Sequence, residues 1–112
     1  MDSREVSYPA GRVILKEGES SFVFHLILDG TVGILKNQKQ IAKLGKGDFF
    51  GEMGILTGNQ RSADVVTIEP TRILAMTSWE FKAFLKANPL VSFEMLRALA
   101  SRLSKADQIV AE

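Results

Sequence analysis

The sequence has no cysteine, which excludes a disulfide framework, a thiolate metal site and an iron–sulfur cluster. A thiol-free chain fits a reducing compartment, and a cytoplasmic location is the expectation. Histidine is nearly as scarce. The single one, His25, sits inside an apolar run, where a structural role is favoured over ligation. One histidine cannot build a cupin-type metal centre, which needs several His and carboxylate ligands on one ion. It also leaves Ser-His-Asp or Cys-His catalysis with no base but His25, which has no nucleophile motif beside it. No metal, no cofactor, no catalytic residue and no enzymatic activity are expected. Charge of one sign is not in excess either, because fourteen Lys and Arg face thirteen Asp and Glu. A net charge of +1 is too even for the basic footprint of direct nucleic-acid binding. Long apolar runs are missing too: the opening MDSREVSYPAG has no signal-peptide core, and no window reaches the ~20 apolar residues of a membrane span. The chain is expected to be soluble, whether whole or cut from a larger protein.

What is present is the composition of an ordinary globular domain, with 46% hydrophobic and 24% charged residues. At 112 residues the chain is expected to be one domain, 1–112. Its first part, about residues 4–77, consists of short apolar runs cut by Gly, Asp and Asn, which predicts strands joined by tight turns. Val13 to Leu15 stops at Glu17-Gly18. Phe22 to Leu28 closes on Asp29-Gly30, a pair that tolerates positive φ and predicts a hairpin. Val32 to Leu35 turns at Asn37, Ile41 to Leu44 ends at Gly45-Lys46-Gly47, and Ala63 to Ile68 meets Arg72 to Met76 across Glu69-Pro70-Thr71. Spacing of this kind predicts a sandwich or barrel.

After Met76 the period becomes helical. Thr77 and Glu80 make a capping box, and Trp79, Phe81, Phe84 and Leu85 are expected to share one face of a closing helix over about 78–87. Asn88 as N-cap and Pro89 at the first helical position start a second, long helix over about 89–110. Leu96, Leu99, Leu103, Ala106 and Val110 alternate three and four apart along it. That helix can lie on the sheet, pair with a second copy or act as a lid.

The segment from Gly47 to Val65 reads GDFFGEMGILTGNQRSADV. Gly51-Glu52-Met53-Gly54-Ile55-Leu56 can form about one helical turn, whose free N–H groups and positive dipole end suit an anion. Gly51, lacking a Cβ, lets backbone approach a phosphate closely. Arg61 offers a planar fork for two phosphate oxygens, Ser62 a hydroxyl and Ala63 an N–H. Glu52 would repel an anion unless its carboxylate accepts from something else, such as a sugar hydroxyl.

Order and spacing here closely resemble the phosphate-binding cassette of the cyclic-nucleotide-binding domain family. That cassette is Phe-Gly-Glu, a short apolar helix, and Arg-x-Ala nine residues after the Glu; this chain has Phe50-Gly51-Glu52, Met53 to Leu56 and Arg61-Ser62-Ala63. Gly30, Gly47 and Asp48 stand where the family has its turn residues, and the two closing helices resemble those of the bacterial cAMP-receptor and anaerobic-regulator transcription factors. The resemblance implies a mainly β fold, a double-stranded β-helix or jelly-roll-like β-roll, with a short cassette helix and two C-terminal helices. It implies that Glu52 binds the ribose 2′-hydroxyl, Arg61 the cyclic phosphate, and Gly51, Ser62 and Ala63 complete the cradle, between Phe50 and Met53. Ile34 and Ile41 match walls of the base pocket, and Arg102 and Leu103 fall where the long helix reaches the base.

Departures from the pattern are Gly54 and Gln60, where many members have Ala and Pro, and Ala106, where the bacterial receptor puts a hydroxyl near the adenine. Ser62 can also bond a guanine amino group, so cAMP is the expected ligand and cGMP the alternative. The functional expectation is a sensor that couples cyclic-nucleotide binding to movement of its C-terminal helix, as a homodimer through that helix, with an output domain or partner outside this chain. No helix-turn-helix segment is present. The rival expectation is an oligomerisation module with a vestigial pocket.

Overall fold

In the computed structural model, residues 4–18, 23–51 and 63–111 are described, with 102–111 as helix backbone only. The chain divides into two compact units, Met1–Glu80 and Phe81–Glu112. The first contains strands β1 (Arg4–Tyr8), β2 (Val13–Leu15), β3 (Val23–Asp29), β4 (Val32–Lys36), β5 (Lys39–Leu44), β6 (Phe49–Phe50), β7 (Asp64–Thr67) and β8 (Thr71–Thr77). They form two four-stranded antiparallel sheets, in the orders β1-β8-β3-β6 and β2-β7-β4-β5. This is the β-roll expected from the resemblance. The expected cassette helix, Gly51 to Leu56, lies outside the described residues beyond Gly51.

Nearly every connection carries the chain from one sheet to the other. One consequence overturns an expectation: Asp29-Gly30 is not a hairpin turn, because β3 pairs with β8 and β6 while β4 pairs with β5 and β7. The pair is a corner between sheets. Turn chemistry dictates that the chain reverses there, and says nothing about which strand it pairs with next. The hairpin is instead β4–β5, where Lys36 opposes Lys39 across Asn37 and Gln38. Both have positive φ, 54° and 64°, the arrangement that matches the twist of the flanking strands.

Two corners are stitched together. The Ile68 N–H donates to the Thr31 carbonyl at 2.9 Å, and the Thr71 hydroxyl donates to the Glu69 carbonyl at 2.7 Å. Gly30 sits in this junction at φ 105°, where a Cβ would lie 2.5 Å from Thr71 Oγ1 and 2.7 Å from the Pro70 carbonyl oxygen. A second stitch is made by Thr67, which is buried: its hydroxyl donates to the Pro9 carbonyl at 2.6 Å and accepts from the Arg12 N–H at 2.8 Å. Between the sheets Leu15, Ile27, Val32, Phe50, Val65 and Ile73 form the core, with Tyr8, Ile14, Ile34 and Leu44 packed against it.

Helix α1 (Ser78–Ala87) starts on the expected capping box: the Thr77 N–H donates to Glu80 Oε1 at 2.8 Å and the Glu80 N–H to Thr77 Oγ1 at 3.2 Å. The expected shared face fails at one member. Phe81 is buried whereas Trp79 is 80% exposed, since two residues on a helix lie about 200° apart. Helix α2 (Pro89–Ala111) begins where the Asn-Pro pair predicts, but the Asn88 side chain points its capping the other way. Its amide donates to the Phe84 carbonyl at 2.9 Å, closing the end of α1, and the Ser92 hydroxyl donates to the Leu85 carbonyl at 2.8 Å. No helix among the described residues is long and apolar enough to cross a membrane.

Gly30→Ala combines a strained φ with a clash against backbone that cannot rotate away. It should lose about 2 kcal/mol or more of stability in urea denaturation; a loss below about 0.5 kcal/mol would show the corner to be loose.

Candidate functional site

The two ends of the segment carrying Glu52 and Arg61 are built from different sheets. At the entry, Asp48 locks a turn. Its carboxylate accepts from the Gly45 N–H at 2.9 Å and its own N–H donates to the Gly45 carbonyl at 2.9 Å, with Gly47 at φ 87° between. The same turn hangs on β3, because the Gly47 N–H donates to Ile27 at 2.8 Å and the Ile27 N–H donates to Asp48 at 2.9 Å. Phe49 and Phe50 then pair with Leu26 and His25. Successive strand residues face opposite ways, yet both phenylalanines are buried. Phe49 packs on Phe24 with ring centroids 5.7 Å apart, and Phe50 lies flat on His25 at 4.7 Å and 5°.

Gly51 follows at φ 89°, a conformation that disfavours any residue with a Cβ. The requirement seen in the sequence for a glycine before Glu52 therefore has a backbone cause as well as a ligand cause. At the exit, half-buried Ala63 leads into β7, where Val65 enters the cluster that holds Phe50. Asp64 Oδ1 accepts from the Glu17 N–H at 2.7 Å, tying the exit to the end of β2. Both ends are thus fixed by the same core, and only residues 52–62 run between them.

Of the expected site residues, Phe50, Gly51 and Ala63 stand at these two ends. Glu52, Met53, Arg61 and Ser62 lie outside the described residues. Ile34 packs half-buried against the core from β4, and Ile41, the extra residue of a bulge in β5, is 59% exposed. Arg102 and Leu103 fall within α2, their side chains outside the described residues. Sequence reasoning gave no role to Asp48 beyond its place after Gly47, nor any to Asp64. An Asp closing a Gly-rich turn is a signal for the first, whereas nothing local marks the second. Among the described residues, no group of three or more His, Cys, Asp or Glu is arranged to hold a metal.

The family model for the cyclic nucleotide-binding domain matches residues 5–88. The cyclic AMP receptor protein of Thermus thermophilus is 33% identical over 105 residues, covering 89% of this chain and 49% of that protein. The crystal structure of the Thermus thermophilus catabolite activator protein superposes with a TM-score of 0.86 at 31% identity, over 96% of this chain and 53% of that one. A structure of PKAR CBD2 bound to Sp-2Cl-cAMPS gives a TM-score of 0.73 at 26% identity, over 94% and 72%. The chain spans about half the length of the Thermus relative.

If the Phe50 ring is what anchors the entry, Phe50→Ala should cost about 3–5 kcal/mol in urea denaturation, as a large ring removed from a packed core does. A cost under about 1 kcal/mol would place the anchor elsewhere.

Proposed function

The chain belongs to the cyclic nucleotide-binding domain family, and from that premise we propose that it is a sensor that binds a cyclic nucleotide, cAMP in preference to cGMP, through residues 50–53 and 61–63. The observation that carries this reading is the spacing of Phe50-Gly51-Glu52 and Arg61-Ser62-Ala63 across a segment whose ends share one core. Arg61 neutralises the phosphate with a bidentate fork. Glu52 accepts from the ribose 2′-hydroxyl, and the backbone at Gly51, Ser62 and Ala63 supplies donors. Ile34 and Ile41 line the base, with Arg102 and Leu103 assigned to its far side by resemblance. For a ligand of about 22 heavy atoms at about 0.3 kcal/mol each, a dissociation constant of micromolar order follows.

Signalling is a population shift: a state in which residues 52–62 close on phosphate and ribose is favoured by ligand, with α2 as the element that moves. The domain boundaries follow, with a β-roll over about 4–77, a closing helix over 78–87 and the mobile helix beyond Pro89. In this reading the chain is cytoplasmic, performs no catalysis and passes its signal to an output domain or partner. Helix α2 pairs with that of a second copy, a reading supported by the exposure of Leu90, Phe93 and Leu96 along it.

Arg61→Ala should weaken cAMP binding by about 2–5 kcal/mol in calorimetry while leaving the melting temperature of the free protein nearly unchanged. Parent-like affinity would remove the assigned role. In a thermal-shift series, cAMP and cGMP should both stabilise the chain, cAMP more, and AMP should not; no shift with either cyclic nucleotide would favour a purely oligomerising module.

A further inference from the structure

The even net charge conceals a division. Residues 31–47 hold Lys36, Lys39, Lys43 and Lys46 and no Asp or Glu, a charge of +4, so the rest of a chain whose net charge is +1 carries −3. All four lysines are exposed, and none makes an ion pair among the described residues. They sit on one piece of structure, the β4–β5 hairpin and the turn that follows it. None of them belongs to the nucleotide site proposed above.

Strand β5 is the edge of its sheet, and lysine on an edge ordinarily wards off pairing with another chain. That role covers Lys39 and Lys43. It does not cover Lys46, which lies in a turn, or Lys36, which lies on β4 directly opposite Lys39. Like charges opposed across two strands destabilise a hairpin. This pair also flanks a turn in which Gln38 holds a φ of 64°, a conformation that glycine adopts more readily. The hairpin therefore keeps a repulsion that an external anionic surface would relieve.

Spacing decides the kind of anion. Lys39 and Lys43 are four residues apart along β5, roughly 10–13 Å, too far for one phosphate or carboxylate to bridge. The complement must present many negative charges over an area. Residues 31–47 contain no arginine and no aromatic ring, the groups that fork onto phosphates or stack on bases, so the hairpin is poorly equipped to hold a nucleic acid. An apolar group stands among the charges instead. Ile68 is 45% exposed, and its Cδ1 lies 3.4 Å from the point where a Cβ on Gly33 would be, beside the residue that opposes Lys43. An isoleucine within a field of lysines matches a medium with an anionic skin and an apolar interior. We propose that this hairpin docks the chain on a membrane surface containing anionic phospholipid, with the four lysines meeting headgroups and Ile68 reaching the acyl boundary.

Co-sedimentation of the chain with lipid vesicles tests this. At about 0.05 M NaCl the chain should pellet with phosphatidylcholine vesicles containing about one third phosphatidylserine and not with pure phosphatidylcholine, and about 0.5 M NaCl should release it. One lysine beside an anionic surface contributes about fivefold, so Lys39→Glu, which removes a positive charge and adds a negative one, should weaken binding at least about tenfold. It also turns the repulsion with Lys36 into an attraction, so the melting temperature should not fall and lost binding cannot be ascribed to unfolding. Lys82→Glu, on α1, changes the net charge equally and should bind within about twofold of the parent. Ile68→Ser should weaken vesicle binding at least about threefold. No binding to the anionic vesicles, equal losses in Lys39→Glu and Lys82→Glu, or parent-like binding by Ile68→Ser would each overturn the proposal. Tighter binding to poly-L-glutamate or to duplex DNA than to vesicles, at equal concentration of negative charge, would overturn it in favour of an acidic polypeptide or a nucleic acid.

Discussion

The burial of Phe50 and Val65 in one cluster is the constraint on which the rest of the molecule depends. Phe50 ends the last strand before residues 52–62 and Val65 lies just after them, in opposite sheets, and both pack with Leu15, Ile27, Val32 and Ile73. Closing the sandwich and fixing the two ends of residues 52–62 are therefore a single packing event. Six fully or nearly buried apolar side chains supply the driving force, each contributing roughly 1.5–3 kcal/mol before conformational entropy is subtracted. The surface ion pair between Arg72 and Glu5, with both side chains about half exposed, adds little to this.

Packing alone would tolerate sliding, so directional contacts must hold the register. They are concentrated where the chain changes sheets. The Thr67 hydroxyl ties the turn after β1 to β7, the Gly30 corner leaves no room for a Cβ against Pro70 and Thr71, and Asp48 closes its turn on Gly45. Each places a hydrogen bond or a steric limit at a connection and not within a strand. A fold in which successive strands rarely pair has few local contacts to set its pairing, so its corners must carry that information.

This division explains which features could be read from sequence. Strand positions, both helices and the cassette resemblance rest on local periodicity or fixed spacing, and the β-roll emerged accordingly. Strand partnership did not, because Asp29-Gly30 encodes a reversal and the choice between hairpin and corner is made by β8 and β6, which come from distant sequence. Trp79 misled for a different reason. Its apolar character placed it on the buried face, although the helical angle from Phe81 puts it opposite. Asn88 likewise has two capping uses, and sequence alone does not choose between the helix that ends before it and the one that begins after it.

The same architecture separates stability from recognition. The groups that fix the ends of residues 52–62, Phe50 on His25 and Val65 in the core, are apolar or stacked. The charged groups assigned to the ligand, Glu52 and Arg61, lie between those ends in the sequence. Under the proposed function, the binding energy of a cyclic nucleotide would then be available for shifting a conformational equilibrium instead of completing the fold.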